Sequence, residues 1–165
     1  MYYKKVFKVP LYPFWYAIVV TDEVKKLKKL PIEERDTSDM NTEDSIYATT
    51  FRDAHEERPD GRKYHCPHIV LNFRNGYSRM TRGVVAHELV HLRSILFKEL
   101  GIKVNLKNDE PEAYVMGDIT DTVLNYLEEV IEKENALYNS IDRPGLPKIK
   151  FYKNEYEDIV YEKTV

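Results

Sequence analysis

Residues 87–91 read His-Glu-Leu-Val-His. Residues four apart on an α-helix share a face, one turn above the other, so His87 and His91 can aim two imidazole nitrogens at one point. Glu88 stands about 100° further round the helix and flanks that point without entering it. Two neutral nitrogen ligands with a carboxylate beside them form the arrangement of a hydrolytic zinc site. Five residues with two free positions also arise by chance. The weight of the pattern therefore depends on its helix, on the direction of its histidines and on a third ligand.

Asp109, Glu110 and Glu112 compete for that third place in the run Asn108-Asp109-Glu110-Pro111-Glu112-Ala113-Tyr114. Asp109 followed three residues later by Glu112 fits a capping box, with Asp109 as N-cap and Glu112 reaching back to its backbone N–H. Pro111 suits a first helical turn, where its missing N–H costs nothing. Glu110 is left free to project towards the histidines and is the expected ligand, with Glu112 as the alternative.

Two long helices must carry these groups. The first is expected from about Ser78 to Leu100, with Gly101 as its cap. Its stripe Val85, Leu89, Leu92, Leu96 and Leu100 recurs at helical spacing and must face a core. His87 and His91 point away from that stripe. The second helix is expected from about Glu110 to Asn135, with the stripe Val115, Ile119, Val123, Tyr126 or Leu127, and Val130. Strands are expected at Tyr3–Val9, Phe14–Val20, Ile46–Phe51 and His68–Phe73. A short helix over Glu23–Leu30 is stopped by Pro31. Residues 31–45 and Arg52–Lys63 read as loops, and Asn75-Gly76 as a turn. The expected architecture is α+β. A small, twisted, mostly antiparallel sheet packs on the helix bearing the histidines, and the second long helix brings Glu110 to the metal. Residues 1–148 form one domain, and the tail 149–165 is either an edge strand or mobile.

Composition narrows the function. The 165 residues carry a net charge of −3, with no basic stripe beyond the short run Lys25–Lys29, so nucleic acid is not an expected partner. Cys66 is the only cysteine, which excludes an intrachain disulfide and favours a reducing, cytoplasmic compartment. Lys4, Lys5 and Lys8 precede the apolar run Val9–Val20, but Pro10 and Pro13 break it and no cleavage site follows. It is also too short to span a membrane, so no membrane partner is expected.

The pattern H-E-x-x-H followed, after eighteen intervening residues, by Glu110 resembles the gluzincin metallopeptidases. Ala113-Tyr114 after that glutamate is similar to the same family. Residues 84–118 also resemble small, metallopeptidase-like proteins encoded by bacteriophages. The resemblance implies a zincin-like fold with one zinc ion held by His87, His91 and Glu110. It implies a peptide or protein substrate, laid out along an edge strand above the site, for which His68–Phe73 is the candidate. Glu88 is then the general base, taking a proton from water and passing it to the leaving amine. The substrate-amine motif of the large aminopeptidases is absent, so cleavage specificity stays open. A contrasting expectation is a non-catalytic binding, regulatory or phage accessory module with structural zinc, although such a site has no need of a base and usually draws on more cysteine.

Further residues have two readings each. Tyr114 is either an oxyanion donor or a packing aromatic. Asp118 and Asp121 either orient a metal ligand or are exposed helix acids. Gly117 is expected to let the two helices approach closely. His65-Cys66-Pro67-His68 is either a second metal cluster or structural, with Cys66 buried. His55 is expected in solvent.

Overall fold

A computed structural model describes residues 2–22, 48–72, 82–105, 107, 109–140, 148–153 and 159–164. The expected short helix Glu23–Leu30, the loop 31–45 and the Asn75-Gly76 turn lie outside them. The elements run β1 (Tyr2–Lys8), β2 (Trp15–Thr21), β3 (Ala48–Phe51), β4 (His55–Glu57), β5 (Lys63–His65), β6 (His68–Asn72), α1 (Arg82–Glu99), α2 (Glu110–Ser140), β7 (Lys148–Lys153) and β8 (Ile159–Thr164). The class is α+β, as the sequence implies. Among the described residues no helix is long and apolar enough to cross a membrane.

One sheet carries the order β1-β2-β6-β3. β1 is antiparallel to β2, β2 is parallel to β6, and β6 is antiparallel to β3. Alternation divides the side chains between two faces. Tyr16, Ile18 and Val20 of β2 join Ile69 and Leu71 of β6 in a core with both helices. From α1 come Val85, Leu89, Leu92 and Leu96, and from α2 Val115, Ile119, Val123, Leu127 and Val130, so both predicted stripes face inward. The opposite face is buried too: Ala17, Val19, His68 and Val70 are all fully covered. β6 is thus covered on both faces along its length. A strand buried on both faces tolerates apolar residues at every position.

Two further hairpins complete the described fold. The segment Arg52–Lys63, expected as a loop, instead contains β4 and pairs it with β5 across a turn closed by Gly61 at φ +80°. Three-residue strands are too short for periodicity to reveal. The tail forms an antiparallel pair, β7 with β8, and β7 lies next to α2. The tail therefore supplies two paired strands where a single edge strand or a mobile segment was expected.

Helix α1 ends as Gly101 foretells. The Gly101 N–H donates to the Lys98 carbonyl at 3.3 Å and the Ile102 N–H to the Phe97 carbonyl at 2.9 Å, with Gly101 at φ +64°. This is the paired bonding of a left-handed C-terminal cap. Gly117 behaves otherwise. It is exposed on α2, and an added Cβ there would meet nothing within 4 Å, so it is not a site of close helix approach. Gly117→Ala should therefore stabilise the chain by about 0.5–1 kcal/mol, because alanine loses less backbone entropy in a helix. Denaturant titration should show a raised midpoint, and a lowered one would mean an unseen neighbour.

Candidate metal centre

His87 and His91 lie on the solvent face of α1, opposite its buried stripe. Their rings meet edge to face with centroids 4.9 Å apart, and the two Nε2 atoms stand 3.2 Å apart. Two nitrogens bound to one zinc at about 2.0–2.1 Å in a tetrahedral arrangement are about 3.3–3.4 Å from each other. The 3.2 Å separation is close to that spacing and is equally that of a hydrogen bond between the two rings.

Glu88 points elsewhere. It is 6% exposed, and its carboxylate turns towards the sheet. The hydroxyl Oγ1 of Thr50 donates to Glu88 Oε2 at 2.7 Å and also lies 3.1 Å from the Glu88 carbonyl oxygen. Thr50 belongs to β3, where its register partner is Ile69, so it shares the face that packs on the helices. Sequence reasoning did not single out Thr50. The strand around it was legible, but nothing in the chain ties residue 50 to a helix thirty-eight positions away.

The strand beside the site is β3, not His68–Phe73. β6 lies inside the sheet between β2 and β3, so both of its edges are already paired. β3 is an end strand, and among the described residues its outer edge has no strand partner.

The acidic candidates at the start of α2 separate. Asp109 caps the helix through its carbonyl, which accepts the Ala113 N–H at 2.9 Å. Glu112 does not close the expected capping box; its carboxylate pairs with Arg93 of α1. A charged guanidinium on the neighbouring helix outcompetes one backbone N–H for that carboxylate. Arg93 stands about 200° round α1 from His91, on the flank away from the imidazoles. Glu110 is exposed, as the free member of the three should be. Among the described residues, however, no group of three His, Cys, Asp or Glu side chains converges, so the structure gathers His87 with His91 and leaves Glu110 apart.

Tyr114, 74% exposed, is not a packing aromatic; it lines a cavity of about 320 Å³ with Val9–Tyr12, Pro111, Val115 and Asp118. Asp118 and Asp121 are exposed and bond to neither imidazole. Comparisons with protein-family models, with curated proteins and with solved structures find no match. Site chemistry and fold alone carry the functional reading.

The run 65–68 is structural. His68 is fully buried, with Nδ1 2.7 Å from the Cys66 carbonyl and Nε2 2.8 Å from a Glu56 carboxylate oxygen, and a neutral ring donates to one of the two. Lys4 of β1 pairs with the same glutamate, which ties the β4–β5 hairpin over the sheet. Burial, the larger influence, holds the His68 ring below the usual histidine pKa despite the nearby carboxylate. His65 Nε2 bonds to the Arg52 carbonyl, and its Nδ1 lies beside the Glu99 carboxylate. Burial pushes the Cys66 thiol up to about 12, so it is an inert core residue. His55 is exposed, as expected.

Proposed function

We propose that the chain is a zinc-dependent hydrolase acting on peptide bonds. The observation that carries this reading is the 3.2 Å separation of the His87 and His91 Nε2 atoms on a helix whose intervening Glu88 is held by a hydrogen bond from Thr50. His87 and His91 would hold the metal as neutral ligands. Glu110 would be the third ligand by its place in the sequence, although the structure does not bring it to the two histidines. Zinc, when bound, supplies Lewis-acid polarisation of a carbonyl and makes water more acidic.

The chain's own groups supply the rest. Glu88 takes a proton from the attacking water and delivers it to the departing amine, the ordinary division of general base and general acid. The outer edge of β3, which has no strand partner among the described residues, would offer backbone N–H and C=O groups to a peptide in extended form. Because β3 also carries Thr50, a peptide on that edge would be registered against the same strand that orients the base.

Metal content tests this directly. Protein purified without chelator should hold about one zinc per chain by elemental analysis. A folded chain that stays metal-free with zinc supplied would overturn the proposal.

A further inference from the structure

Among the described residues the polar partner of the Glu88 carboxylate is a single hydroxyl, contributed by a strand remote in sequence. That hydroxyl lies within reach of two oxygens of the same residue, Oε2 at 2.7 Å and the backbone carbonyl at 3.1 Å. A threonine hydroxyl has one proton to give and lone pairs to accept with. Its proton goes to the carboxylate, the nearer and charged acceptor. Glu88 is 6% exposed, so solvent cannot readily replace this bond.

We propose that Thr50 is a positioning residue that holds the Glu88 carboxylate in one orientation on α1, an inference that rests on the hydrolase reading above. In hydrolysis the water oxygen forms a bond to the carbonyl carbon and its proton passes to Glu88. The C–N bond then breaks, and the amine takes that proton. Between these events Glu88 is a neutral acid. The proton in transit sits on Oε1, the oxygen that Thr50 does not hold, while Oε2 keeps accepting the Thr50 hydroxyl. Both protonation states keep a hydrogen bond, and no heavy atom moves. A valine at position 50 preserves shape and removes the hydroxyl that is the polar partner of the Glu88 carboxylate among the described residues. A serine retains the hydroxyl.

The test compares wild type, Thr50→Ser, Thr50→Val and Thr50→Ala, with Glu88→Gln as control. Each is given a mixed library of end-capped peptides, with cleavage read by mass spectrometry. NMR coupling constants report the side-chain rotamer of Glu88. Thr50→Val should average that rotamer and lower kcat by about 10–10²-fold at unchanged KM, the scale expected of a misplaced catalytic group. Thr50→Ser should restore one rotamer and most of the rate. Thr50→Ala stands in if the valine variant does not fold. A single Glu88 rotamer in both Thr50→Val and Thr50→Ala, or a serine variant as impaired as valine, would overturn the proposal. If no peptide is cut by wild type and spared by Glu88→Gln, the hydrolase reading fails instead, and the rotamer measurement alone decides whether Thr50 positions Glu88.

Discussion

Glu88→Gln should remain folded and retain zinc, yet turn over substrate at least about 10²-fold more slowly, the usual contribution of general acid–base catalysis. The fold should survive because glutamine has the same shape and its amide oxygen can still accept the Thr50 hydroxyl in the place of Oε2. The metal should survive because Glu88 is not among the expected ligands, and its carboxylate is held by Thr50. Only the capacity to take up a proton is removed. This comparison also separates enzyme from binding module. If cells carrying Glu88→Gln behave as wild type while those carrying His87→Ala lose the protein's effect, zinc is structural and the hydrolase reading is wrong.

The second large effect concerns the third ligand. Glu110→Ala should weaken zinc binding by more than about 10²-fold, beyond the loss typical of groups that merely support a ligand. Glu112→Ala should keep the metal. Its carboxylate is committed to Arg93, and losing a partly exposed ion pair between helices costs about 0–1 kcal/mol. Competition against a chromophoric chelator gives both affinities. Metal loss in Glu112→Ala with retention in Glu110→Ala would reverse the assignment. Retention in both would place the third ligand elsewhere in the chain.

Much of this site was legible because it is local. A four-residue spacing on a helix fixes the relation of His87 to His91 whatever the rest of the chain does, and the apolar stripe fixes which way they face. The inward stripes of both helices and the cap at Gly101 follow from the same short-range rules. Legibility failed where partners are distant. The capping-box motif at Asp109 and Glu112 is a local preference, and the structure gives Glu112 to a guanidinium on another helix. The choice of β6 as the strand beside the site failed for a related reason. Strand order depends on pairing across the whole sheet, and no periodicity within residues 68–73 says whether a strand lies inside or at the edge. Thr50 was missed because its role exists only once β3 and α1 have met.

The parallel pairing of β2 with β6 has a consequence for how the chain acquires its parts in time. It joins Ala17 to His68 and Thr21 to Asn72, and closing a loop of roughly fifty residues is entropically costly and slow. The His87–His91 pair needs nothing beyond one helical turn, which forms in well under a millisecond. Glu88 gains its hydroxyl partner only after β3 has added to β6 and the sheet has seated α1. The two imidazoles are therefore assembled early and the base late. On the proposed reading, a nascent or partly unfolded chain would engage a metal ion through the helix alone before its base is oriented, and hydrolysis would await the last long-range contacts.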